Sequence, residues 1–169
     1  MAMIAQRIKE SRGLRQLTIL VSVLSISWIL SGCSQGQRPF KIVQLCLQDD
    51  SGVSSFLSML RSIADQEQMT FIDNSSRTQA ELDQAKKVAD QLSTNGRAIN
   101  VGIEGSGGIG MTAGNLGLTR YQVALGFSTG DNSENAQAFA KKVVARLRGK
   151  WLVQEVPSSQ GAHPMKNCP

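Results

Sequence analysis

Asp49 and Asp50 stand side by side just after an apolar stretch at 40–48. Paired carboxylates at a strand end are a starting point for general acid–base chemistry. The run Asp49-Asp50-Ser51-Gly52 also has the composition of a helix cap, which accounts for both acids more simply. Gly105-Ser106-Gly107-Gly108-Ile109-Gly110 follows a strand-like run and fits G-x-G-x-x-G, the spacing of a dinucleotide-binding loop. That chemistry requires the last glycine to open a helix whose N-terminus holds the pyrophosphate. Here Met111 to Gly117 intervene and another strand follows, so no cofactor is expected. The segment reads as a flexible β-hairpin loop, with a partner-contacting loop over 105–110 as the alternative. His163, the single histidine, lies in a polar tail, and no serine sits in a nucleophile elbow to pair with it. Lys141, Lys142, Arg146, Arg148 and Lys150 crowd one helix. They read as a solvated face with favourable charge at a helix C-terminus; the alternative is an anionic partner, an acidic protein or lipid headgroups.

The N-terminus carries a different signal. Residues 1–16 are polar and basic, residues 17–30 are uncharged and mostly apolar, and Leu30-Ser31-Gly32-Cys33 follows. A basic segment, an apolar segment and small residues in that order mark an export signal. The apolar stretch is about 14 residues, roughly 21 Å as a helix, which is short for a bilayer core of ~30 Å. Leu30-Ser31-Gly32-Cys33 resembles the lipobox of bacterial lipoproteins. The likeness covers about the first fifth of the chain and concerns processing, not fold. It implies cleavage before Cys33, a diacylglycerol on its thiol and acylation of its new amine, hence a lipid bilayer as partner. Ser34 in place of aspartate implies the outer membrane, with the protein facing the periplasm. Several acyl chains make such an anchor effectively permanent.

Lipidation of Cys33 leaves Cys46 and Cys168 as an even pair in an oxidising compartment, so the resemblance implies a disulfide between them. The rival reading is a buried free Cys46 and a frayed Cys168. Two cysteines and one histidine have no metal-ligand spacing. The formal charge of the whole chain is +5. Residues 1–32 hold four basic residues and one acid, leaving the remainder nearly balanced. Few aromatics remain for base stacking, and nucleic acid is not an expected partner.

These residues must be positioned by the elements between them. Residues 40–48, apolar on both faces, suit a central strand. Val53, Phe56, Leu57, Leu60, Ile63 and Ala64 form a helical stripe over 53–67. Residues 70–73 suggest a short strand. A second helix is expected over 78–94, with a thin apolar face of Leu82, Ala85, Val88 and Leu92 and a stop at Asn95-Gly96. Strands are expected at 98–104 and 120–129, separated by the mobile connection 105–117. Asp131 and Glu134 read as a capping box. Ala136, Phe139, Ala140, Val143, Val144 and Leu147 then make the cleanest stripe, ended by Gly149, with a last strand at 151–156.

The expected order is β-α-β-α-β-β-α-β, an α+β two-layer sandwich with helices on one face of a mixed or antiparallel sheet. Its ends resemble a ferredoxin-like plan. The chain divides into a cleaved signal peptide (1–32), a lipidated tether (33–39), one domain (40–156) and a C-terminal tail (157–169). The expected function is a non-enzymatic protein-binding lipoprotein. It would serve as an immunity or inhibitor protein against a secreted toxin, or as an accessory subunit of an envelope or secretion machine. A small periplasmic hydrolase and a structural envelope lipoprotein are the alternatives.

Overall fold

The structure is a computed structural model that describes residues 38–88 and 97–169. The expected signal peptide, Cys33 with most of its expected tether, Leu92 and the expected stop at Asn95-Gly96 lie outside the described residues. Residues Arg38–Pro169 form one compact unit. Its strands are β1 (Lys41–Cys46), β2 (Thr70–Asp73), β3 (Asn100–Glu104), β4 (Ile109–Gly114), β5 (Gln122–Thr129) and β6 (Val153–Val156). The helices are α1 (Asp50–Gln66), α2 (Ser75–Val88) and α3 (Ser133–Arg148). The sheet order is β2-β3-β4-β5-β1-β6, and every neighbouring pair is antiparallel. This is the α+β architecture that the residue patterns imply. β1 lies between β5 and β6, so the crossover through α3 is a split β-α-β unit.

Alternation decides which residues meet the helices. Val43 and Leu45 of β1, Val101 and Ile103 of β3, Met111 and Ala113 of β4, and Val123, Leu125 and Phe127 of β5 join the core. They pack against Val53, Phe56, Leu60 and Ile63 of α1 and Phe139, Val143, Val144 and Leu147 of α3. Both stripes are those spaced in the sequence. Phe139 meets Phe127 edge to face at 6.3 Å between ring centroids, and Phe56 meets Trp151 at 6.1 Å.

α1 starts where Asp49 accepts a hydrogen bond from the Gly52 N–H at 2.7 Å. Gly52 itself is forced: a Cβ there would sit 1.9 Å from the Leu47 carbonyl oxygen. α3 starts one residue later than the capping-box reading, because Asn132 and not Asp131 accepts from the N–H three residues on, that of Asn135. The Asp131 N–H instead donates to the Gly107 carbonyl. The last strand opens at Val153, after a turn in which the Trp151 N–H donates to Leu147.

Two expectations fail. The first is α2, which starts at Ser75 rather than 78 and adds nothing to the core cluster among the described residues. Leu82 is half-buried and Ala85 exposed; Ser75 and Thr78 are the buried positions. Polar bonds hold this helix: the Ser75 hydroxyl accepts from the Asn100 N–H, the Asn100 side chain donates to Thr78, and the Ala98 N–H donates to Gln79. The second is the mobile connection 105–117, which contains β4, paired on both sides within the sheet. Its glycines allow that close approach. A Cβ on Gly110 would lie 2.3 Å from the Ile103 carbonyl oxygen.

Candidate functional site

The sheet face opposite α1 and α3 is built differently from the core face. By alternation it carries Gly102, Thr112, Ala124 and Gly126 across its middle, and Gln44, Cys46, Gln122 and Gln154 toward one end. Gln44 and Gln122 are completely buried, although most glutamines are exposed. What buries them is the C-terminal tail.

Gln122 Nε2 donates to the His163 carbonyl at 2.7 Å, and Gln122 Oε1 accepts from the Met165 N–H at 2.7 Å. The His163 N–H donates to Gln44 Oε1 at 3.3 Å. Gln122 Nε2 also donates to Gln44 Oε1, and Gln44 Nε2 donates to Gln154 Oε1. The tail backbone fixes the direction of both amides. A carbonyl can only accept and an N–H can only donate, so Gln122 has one orientation that satisfies both, and Gln44 then has one. Beyond the glutamines the tail ends on Cys46: the Cys46 and Cys168 sulfurs stand at disulfide distance, 2.03 Å, with Cα atoms 5.6 Å apart. The pairing implied for these two cysteines is therefore present, and Cys168 is 8% exposed.

Beside the tail lies a cleft of about 640 Å³, lined by Trp151, Leu152 and residues 163–167 of the tail itself. Leu152 is 83% exposed there. Gln48, at the same end, has φ of 69°, a left-handed conformation that is uncommon for a side chain of its type. Its turn is closed by the Asp49 N–H donating to the Leu47 carbonyl.

The residues singled out from the sequence fall as follows. Asp49 caps α1 and also accepts from the Ser51 hydroxyl; these hydrogen bonds, the Gly52 N–H first, hold its carboxyl below the usual range. Asp50 faces the Arg120 guanidinium at 3.4 Å. His163 meets the site through its main chain, and its residue is exposed. Gly105 to Gly108 make the tight end of the β3–β4 hairpin, with Ser106, Gly107 and Gly108 exposed, while Ile109 and Gly110 belong to β4. The loop is held: Ser128 donates to the Gly108 carbonyl and the Gly105 N–H donates to Ile109.

The basic cluster is largely occupied with neighbours. Lys142 pairs with Glu67 at 2.7 Å, Arg146 donates to Gln66 and Arg148 pairs with Glu155 at 3.0 Å. Lys150 lies over the Trp151 ring, 5.9 Å from its centroid. Among the described residues no three His, Cys, Asp or Glu side chains gather as a metal site, and no helix is long and apolar enough to cross a membrane.

Sequence reasoning missed the glutamines. A signal was present: Gln44 is two residues before Cys46, so it shares the face onto which a bond from Cys46 must draw the tail. No protein-family model, no curated protein and no solved structure matches this chain.

Proposed function

We propose that the chain is a lipid-anchored protein of the bacterial envelope, facing the periplasm from the outer membrane. Its domain binds another protein, an envelope component or a secreted toxin. The observation that carries the anchoring is Leu30-Ser31-Gly32-Cys33 at the end of an uncharged apolar stretch. Two further observations support the reading. Cys46 and Cys168 stand at disulfide distance, as an oxidising compartment allows. The chain joins the sheet through the Phe40 N–H donating to the Phe127 carbonyl, with Pro39 against Gly126. A short tether therefore leads to a firmly held first strand.

A hydrolase using the Asp49 and Asp50 pair for general acid work would need a carboxyl that can carry a proton near neutral pH. Asp49 is displaced the other way, and its oxygen is committed to the Gly52 N–H. Binding through a surface asks for no such group.

Cys33→Ser tests the anchoring in cells fed a labelled fatty acid. The expected result is unprocessed precursor without acyl label. Normal cleavage and labelling of that variant would overturn the reading.

A further inference from the structure

We propose that the C-terminal tail is a releasable strap, lying as a tethered stand-in within a main-chain recognition site for an extended peptide, and that the bond between Cys46 and Cys168 is its latch. The inference deepens the reading of the domain as a protein-binding module and does not depend on the lipid anchor.

The cradle recognises backbone. All three hydrogen bonds from Gln44 and Gln122 to the tail go to the main chain of His163 and Met165. Pro164, between them, has no N–H to offer and is asked for none. The gripped residues alternate, the grip comes from glutamine side chains on the sheet face, and beyond Met165 the tail turns, the Cys168 N–H donating to the Met165 carbonyl. The tail brings little else: His163, Pro164, Lys166 and Asn167 are exposed, Met165 is half-buried, and only Cys168 is buried. Other peptides could therefore make the same bonds. Beside the grip stand Trp151 and the exposed Leu152, in a cleft whose other side is the tail itself.

The latch follows from what happens without it. The tail is what buries the two glutamines, and their amides need partners in its absence too. A released tail would have to be replaced by another backbone or by water. Release is thiol–disulfide exchange. A dithiol, of the class carried by envelope oxidoreductases, gives up two electrons and two protons. The S–S bond breaks to give the thiols of Cys46 and Cys168, and the dithiol becomes a disulfide. The tail is then held by exchangeable hydrogen bonds alone.

Hydrogen exchange on the full chain in detergent, before and after dithiothreitol, tests the latch. The His163 and Met165 amides are expected to exchange at least tenfold faster after reduction, with β1 and β5 amides unchanged. Unchanged tail protection would overturn the proposal. So would loss of β1 and β5 protection in step with the tail, because the bond would then be a staple of the whole fold.

The cradle is tested with a full chain carrying Met165→Pro and Cys168→Ser, which unhooks its own tail. The probe is a labelled peptide of residues 158–169 bearing Cys168→Ser. Saturable binding to the unhooked chain, at least tenfold weaker to the oxidised wild type, is expected. No saturable binding, or equal binding to both, would overturn the site. Neither result touches the Cys33→Ser test, so the two readings fail separately.

Discussion

Gln122 makes more bonds to the tail than any other side chain, and all its amide valences on that side are spent on main-chain groups or on Gln44. Truncating it to alanine removes two tail bonds and leaves the Met165 N–H and the His163 carbonyl without their partners. Gln122→Ala is expected to lower stability by about 2–3 kcal/mol, the cost of buried groups left unsatisfied. Urea unfolding checks this, and a change below about 0.5 kcal/mol, the size typical of a surface position, would mean that the tail is not held as described.

The acids respond to pH at the same scale. Asp49, Asp73 and Glu155 all lie below their ordinary values in the folded protein. For Asp73, burial opposes ionisation, but the Ser75 hydroxyl and N–H and the Arg61 charge outweigh it. For Glu155 the bond from Lys41 leads. A lowered carboxyl stabilises the fold above its unfolded pKa and ceases to do so as pH falls through the folded one. The melting temperature is therefore expected to fall as pH drops below about 4, and Asp73→Asn to flatten that fall. A melting temperature unchanged between about pH 5 and about pH 3 would contradict it.

Helix ends show how local chemistry sets an element. α1 closes with Gln68 at φ of 56°, the Met69 N–H donating to Ala64 and the Gln68 N–H to Asp65. That is a left-handed cap, where glycine is the favoured residue. Gln68→Gly should stabilise the domain by about 1 kcal/mol by relieving the side chain's left-handed strain. Thermal melting measures it, and a loss of stability would show the cap to be wrongly described.

The elements also show what could be read beforehand. α1 and α3 were legible because Phe56, Leu60, Phe139 and Val143 repeat at helical spacing and are buried by that spacing alone. α2 misled because Leu82 and Ala85 fit the same period, while the helix is held by Ser75, Thr78 and Gln79 through polar bonds that periodicity does not register. β4 was hidden for a related reason. Ile109, Met111 and Ala113 do alternate, but Gly110 among them and Gly114 after them carry the composition of a loop. Only the neighbouring strand explains them, since Gly110 gives way to the Ile103 carbonyl. At the candidate site the two cysteines were legible from their number and the export expected of the chain. The glutamines were not, because a polar residue in a strand declares its partner only once the tail is in place.

At the scale of the whole molecule, the bond between Cys46 and Cys168 spans a sequence separation of 122 and makes the domain a covalent ring. The chain leaves that ring at two neighbouring sulfurs, one at the end of β1 and one next to Pro169. Consider tension applied between an attachment at Cys33 and a handle on Pro169. With the ring closed the load runs along residues 33–46, crosses the two sulfurs and exits, so the contour can lengthen to only about 50 Å; opened, it can reach about 460 Å. Pulling on the protein between surface attachments at Cys33 and Pro169 should give the short extension as prepared and the long one with dithiothreitol present. A long extension without reductant would show the ring to be open. Force applied at Cys33 would thus strain β1 alone, while α1, α3 and most of the sheet hang off the load path like cargo beside a taut line, and stay folded.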